Sequence, residues 1–157
     1  MTQGSAPGGV RLVPSGRAVR CKFQTVRKLA SLKAWTCGKA LARAAYGLTL
    51  TDPLKRHFGL ADQVRRAAAA IPANIAEGYA LATTPQFLRC LRIALRSATE
   101  LLTHLELVED MELAAVVPVE ESRRLCDEEI SILIGLIRGL QRRTSRTPPS
   151  SRFPLPD

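Results

Sequence analysis

Four stretches of the chain carry apolar residues at helical spacing, and short breaker segments separate them. In the first, over residues 28–50, Leu29, Leu32, Cys37, Leu41, Ala44 and Leu48 keep near-helical intervals. "TDP" at 51–53 stops it, because proline disfavours helix in the residue before it. The second covers 60–79. The third opens with "TTPQF", where Thr84 reads as the N-cap and Pro85 as the first helical residue, whose missing N–H costs nothing there. Phe87, Leu91, Ala94, Ala98, Leu101, Leu102 and Leu105 then trace one face to about Asp110. The fourth starts near Pro118, sets Glu120 and Glu121 against the positive end of its dipole, and closes on Arg142 and Arg143. Aromatic residues are only 4% of the chain, which disfavours a β-sandwich. Four helices of this length with short links predict one domain, an all-α antiparallel up-down four-helix bundle over residues 25–143. Residues 1–24 hold four glycines and two prolines without periodicity, and read as a flexible basic leader. Residues 144–157, "TSRTPPSSRFPLPD", read as a flexible Pro-rich tail.

The second stretch contains "RRAAAAIPANIAEGYA", residues 65–80, with a proline in mid-helix. Pro72 has no N–H for the carbonyl of Ala68, so the helix is expected to kink there or to restart. The run from Ala67 to Ala70 lets a neighbouring helix come close. Asn74 and Glu77 fall on the alanine stripe, while Ser97, Glu100 and His104 flank the apolar face of the third helix. Buried polar groups must be hydrogen-bonded or they cost about 1–3 kcal/mol each. Two readings follow: a structural network pairing Asn74 with Ser97 and Arg66 with Glu100, or a catalytic carboxylate pair of Glu77 and Glu100. The structural reading is favoured, because the sequence supplies no Glu-x-x-His metal pair, activated nucleophile or glycine-rich phosphate loop.

Charge is unevenly spread. Net charge is +9; residues 1–50 hold nine Lys or Arg and no acid, whereas residues 97–137 hold ten acids and two basic residues. Arg89, Arg92 and Arg96 form one stripe on the third helix, Lys39 and Arg43 a second pair on the first, and Arg65 is expected near that pair. A solvated face is the plain reading of such a run. The functional reading is a nucleic-acid face, RNA or DNA, held through phosphates, since the arginine fork pairs bidentately with phosphate. Aromatics for base stacking are nearly absent from these stripes, so sequence preference is expected to be weak.

The four cysteines, Cys21, Cys37, Cys90 and Cys126, have no C-x-x-C spacing, and with two histidines no zinc site or other metal is expected. They read as buried thiols of a reducing, cytoplasmic protein. No apolar run is long enough to span a bilayer. No cofactor is expected. In "ISILIGLIRGL", residues 130–140, Ile130, Leu133, Ile134 and Ile137 cover one face and Ile132, Leu136 and Leu140 another. A bundle helix needs one apolar stripe, so the surplus predicts a subunit interface, with Ile130, Leu133, Ile134 and Ile137 as the candidate face, though the sequence leaves open which of the two faces is intersubunit. Gly135 and Gly139 would let another helix approach.

"LKAW" at 32–35, "FGLADQVRRAAAAIPANIAEGYA" at 58–80 and "FLRCLRIALRSATELLTHLELV" at 87–108 resemble the four-helix bundle proteins encoded within intervening sequences of bacterial 23S ribosomal RNA genes. The resemblance covers about residues 29–142 and centres on Gln63, Arg65 to Ala68 and Ile71 to Gly78. It implies a ring-forming bundle, typically a pentamer. It also implies kinship with the accessory variability protein of diversity-generating retroelements, a basic pentamer that binds a reverse transcriptase and RNA. Members of the family have no assigned enzymatic activity. The leader and the Pro-rich tail have no counterpart in it. The functional expectation is a non-enzymatic oligomer associated with nucleic acid, accessory to a reverse transcriptase or set in a ribosomal RNA context. The alternative is a scaffold that binds an acidic protein partner.

Overall fold

The structure, a computed structural model, describes residues 29–113 and 119–146. It is built of four helices: α1 (Lys33–Leu48), α2 (Phe58–Ala80), α3 (Thr84–Asp110) and α4 (Glu120–Arg146), with one 3₁₀ turn at Leu54–Arg56 between the first two. Among the described residues there is no strand. Each helix packs on its neighbour in sequence, and α4 closes the ring against α1.

The ends of the helices follow local chemistry. Helix α1 begins later than the periodicity suggests: Leu32 is extended and caps it, and its carbonyl accepts from Trp35 and Thr36. It ends at Leu48, before the expected proline stop, because two threonines take its last carbonyls. Thr49 Oγ1 donates to Tyr46 O (2.7 Å) and Thr51 Oγ1 to Leu48 O (2.9 Å). Helix α2 runs unbroken through Pro72, so the expected restart does not occur. At the head of α3, Thr83 and not Thr84 is the cap residue, and Pro85 sits in the first turn. Helix α4 continues to Arg146, past the expected bundle boundary at residue 143. The leader, Pro118 and residues 147–157 lie outside the described residues.

Packing is close because small residues stand at the crossings. Ala61, Ala67, Ala68, Ala94 and Ala98 are all buried. At Gly78 an added Cβ would lie 2.6 Å from the Cβ of Cys90 and 3.0 Å from the ring of Phe87, so only glycine admits α3 there. At Gly38 it would meet Ile71 Cγ2 at 3.2 Å and Glu129 Oε1 at 3.4 Å. Leu41, Ile71, Ile75, Leu91, Leu101, Leu105 and Leu133 form the bulky centre of a single core.

Candidate nucleic-acid interface

Burial of Leu91, Ala94, Ala98, Leu101 and Leu105 fixes which way α3 faces. The opposite stripe therefore stands in water, and it carries Arg89, Arg92 and Arg96, all exposed. None of the three forms an ion pair with a described residue. Several other basic side chains are paired: Arg56 with Asp52 (2.9 Å), Arg66 with Asp62 (3.4 Å), Lys33 with Glu128 (3.2 Å), and Arg123 with Glu109.

The other expected members of the basic face are not gathered with this stripe. Lys39 and Arg43 are exposed on α1, which packs between α2 and α4 and not on α3. Their surface thus lies across the ring from the arginine stripe. Lys39 Nζ stands 4.4 Å from the centre of the Trp35 ring. Arg65 is a structural residue. Its Nε donates to Thr49 Oγ1 (2.7 Å), its Nη2 to Thr49 O (3.2 Å), and its guanidinium lies 5.1 Å from the centre of Tyr46. These contacts tie the end of α1 to the start of α2 and occupy the fork that a phosphate would need. Its partner lies sixteen residues back across a loop, beyond the reach of helical periodicity.

The expected network between α2 and α3 is replaced by contacts within each helix. Asn74 Nδ2 donates to Ala70 O (2.7 Å), one turn back in its own helix. Arg66 is exposed and reaches Gln63 and Asp62. Glu77 and Glu100 are both exposed, on different helices, and Glu100 stands 3.8 Å from His104 Nε2. Ser97 is buried at the edge of the core. Asn74 is satisfied by its own backbone and Glu77 and Glu100 by water, whereas both ring nitrogens of His104 are buried without a hydrogen-bond partner among the described residues.

On α4 the assignment of faces is corrected. Leu133 and Ile137 are buried in this chain's own core, and Ile130 packs against it. Of the four residues assigned to a subunit interface, Ile134 alone does not pack on the core. Ile132, Leu136 and Leu140 also lie against it, so most of the surplus apolar surface is used within the chain. The buried stripe of α4 runs Val119, Ser122, Cys126, Glu129, Leu133, Ile137. That spacing was readable in the sequence, but Glu129 hides in the acidic run "DEE" and looks like a surface residue.

Glu129 is fully buried, and its carboxyl oxygens have no well-formed hydrogen bond among the described residues, only the weak donor of the Cys37 thiol beside them. Burial pushes its pKa up to about 7; the Cys37 thiol beside it pulls the other way, and Glu128 adds a smaller upward push. Burial, and after it the Glu129 carboxylate, raise the Cys37 thiol to about 12. Cys126, also buried, is raised to about 12 and directs its Sγ to Ala98 O at 3.2 Å. Thiols held this far above neutrality are poor nucleophiles. The three described cysteines are free. No group of three or more His, Cys, Asp or Glu that could hold a metal occurs among the described residues. No described helix is long and apolar enough to cross a membrane.

Helices alone, a close-packed core and unpaired arginines on one outer stripe define a basic-faced four-helix protein. More particularly, the chain belongs to the 23S rRNA-intervening sequence protein family, whose model matches residues 30–135. No curated protein matches it.

Proposed function

We propose that this chain is a non-enzymatic, cytoplasmic assembly protein that holds RNA by its phosphates along the outer face of α3, in an rRNA or reverse-transcriptase context. The observation that carries the reading is the stripe of Arg89, Arg92 and Arg96: exposed, on one face, and without a described anionic partner. Unpaired guanidinium groups at one-turn intervals suit a polyanion, whose charges also repeat at short intervals. The reading takes the bundle as antiparallel. Two pairs support that, Lys33 with Glu128 and Cys37 with Leu125, since the residue number rises on α1 as it falls on α4. It takes α2 as bent at Pro72, whose ring cannot donate to Ala68. It takes the protein as a ring of copies, with a pentamer as the first expectation. Support for assembly comes from apolar side chains not taken up by the core: Ile134 on α4, half-buried, and Phe58, 81% exposed. Free thiols at Cys37, Cys90 and Cys126 suit a reducing compartment.

The test is fluorescence anisotropy with a labelled RNA. Replacing Arg89, Arg92 and Arg96 together by Gln should weaken binding at least tenfold, while Lys39→Gln with Arg43→Gln should change it far less. Equal losses from both sets would remove the α3 face as the site. Binding to an acidic peptide and not to RNA would favour the scaffold reading.

A further inference from the structure

The one fully buried acid of the described residues is Glu129, and the groups around it define what it can do. On α1, Gly38 has no side chain, which leaves Glu129 Oε1 3.4 Å from the place a Cβ would occupy. Cys37, next to Gly38, stands beside the carboxyl and reaches towards Leu125 O at 4.0 Å. Helix α2 turns Ile71 and Ile75 to the same spot, and none of its buried residues is ionisable. On α3 the ionisable groups with buried atoms are Cys90, which packs on Gly78, and His104, whose ring nitrogens are buried, with Nε2 3.8 Å from Glu100. On α4 itself the neighbouring ionisable groups are Cys126, buried, and Glu128, which faces outwards and is held by Lys33 and Arg124 at 3.2 and 3.6 Å. Among the described residues no Lys or Arg is buried in the seam to hold a carboxylate. An ionised carboxylate buried without a cation or hydrogen bonds costs several kcal/mol. The same group protonated is a small polar side chain at a glycine-sized gap.

We propose that Glu129 is a proton-operated latch on the seam between α1 and α4: protonated it stays buried beside Gly38 and Cys37, and on giving its proton to water it leaves the core and opens that seam.

The sign follows from burial. The carboxyl holds its proton up to about pH 7 in the folded chain, against about 4.5 in the open one. The folded state therefore binds more protons between those values. Its stabilising contribution is complete below about pH 4.5, falls as pH rises, and is gone above about pH 7. The device closes in mildly acid conditions and loosens at neutrality and above. Lys33 and Arg124, already paired to Glu128 at the rim, give the emerging carboxylate a cationic neighbourhood.

The test uses the full chain as wild type, Glu129→Gln, and Glu128→Gln as the surface control. Urea unfolding is followed at pH 5, 6, 7 and 8. Between pH 5 and 7 the unfolding equilibrium constant of the wild type should rise about five- to sevenfold per pH unit relative to Glu129→Gln, and Glu128→Gln should track the wild type. A ratio that does not change with pH overturns the proposal. In parallel, the labelling rate of Cys37 by a thiol reagent is compared in the two proteins at pH 8. Labelling at least tenfold faster in the wild type shows the seam opening; equal rates overturn the latch even if stability shifts. Should Glu129→Gln fail to fold, the carboxyl carbon of Glu129 is titrated by NMR in the wild type. A midpoint at least one pH unit above 4.5 supports the proposal, and one at the ordinary carboxylate value overturns it.

Discussion

The outer stripe of α3 and the buried stripe of α4 both carry charged residue types, and they are solved in opposite ways. Arg89, Arg92 and Arg96 stand in water, cost the fold nothing, and have no described ion-pair partner. Glu129 stands in the core, where ionisation is expensive, with only the weak donor of the Cys37 thiol beside it among the described residues. An unpaired charge on the surface is available to a partner. An unpaired acid in the core is a constraint on the fold itself. Asn74 lies between the two: half buried, it bonds to its own backbone at Ala70 and needs nothing from a neighbour.

The largest effect should come from reversing the inside and outside of α4. Leu133→Asp places an unpaired charge at a fully buried site and should cost more than about 4 kcal/mol, seen as loss of the cooperative thermal transition. Ile134→Asp, one residue on, should leave the melt nearly unchanged and act on assembly, read by light scattering. Equal damage from both would mean that the two faces of α4 are not distinct.

Next in size is Gly78→Ala. Alanine normally gains about 1 kcal/mol over glycine in a helix. Here its Cβ would stand 2.6 Å from the Cβ of Cys90, which cannot swing away. Overpacking of this kind costs about 1–3 kcal/mol, so the clash should win and the melting temperature should fall. A rise would show that α2 and α3 separate easily at this point.

Asn74→Leu should be smaller still, under about 1 kcal/mol by chemical denaturation, because the bond it removes is local and partly wet. A loss of several kcal/mol would restore the network across α2 and α3 that its position suggests.

These cases also show what could be read before the structure. The helices at 58–80 and 84–110 were legible because a breaker bounds each and one apolar stripe runs through each. The outward place of Arg89, Arg92 and Arg96 followed from that stripe. Helix α4 was not legible in the same way, since two apolar stripes compete in residues 130–140 and the true inner one passes through an acid. Following Ser122, Cys126 and Leu133 at spacings of three to four residues would have found Glu129. Counting apolar residues could not. Arg65 was missed because Thr49 and Tyr46 reach it only once the loop at 49–57 has folded back.

The most direct test of the account is the salt dependence of RNA binding. The observed affinity should fall steeply with salt, because phosphate contacts release counterions. Removing Arg89, Arg92 and Arg96 together should flatten the log–log slope by about 2, the share expected of three contacts to a single strand, with the thermal melt unchanged. An unchanged slope in a folded triple variant would contradict the assignment of the α3 face.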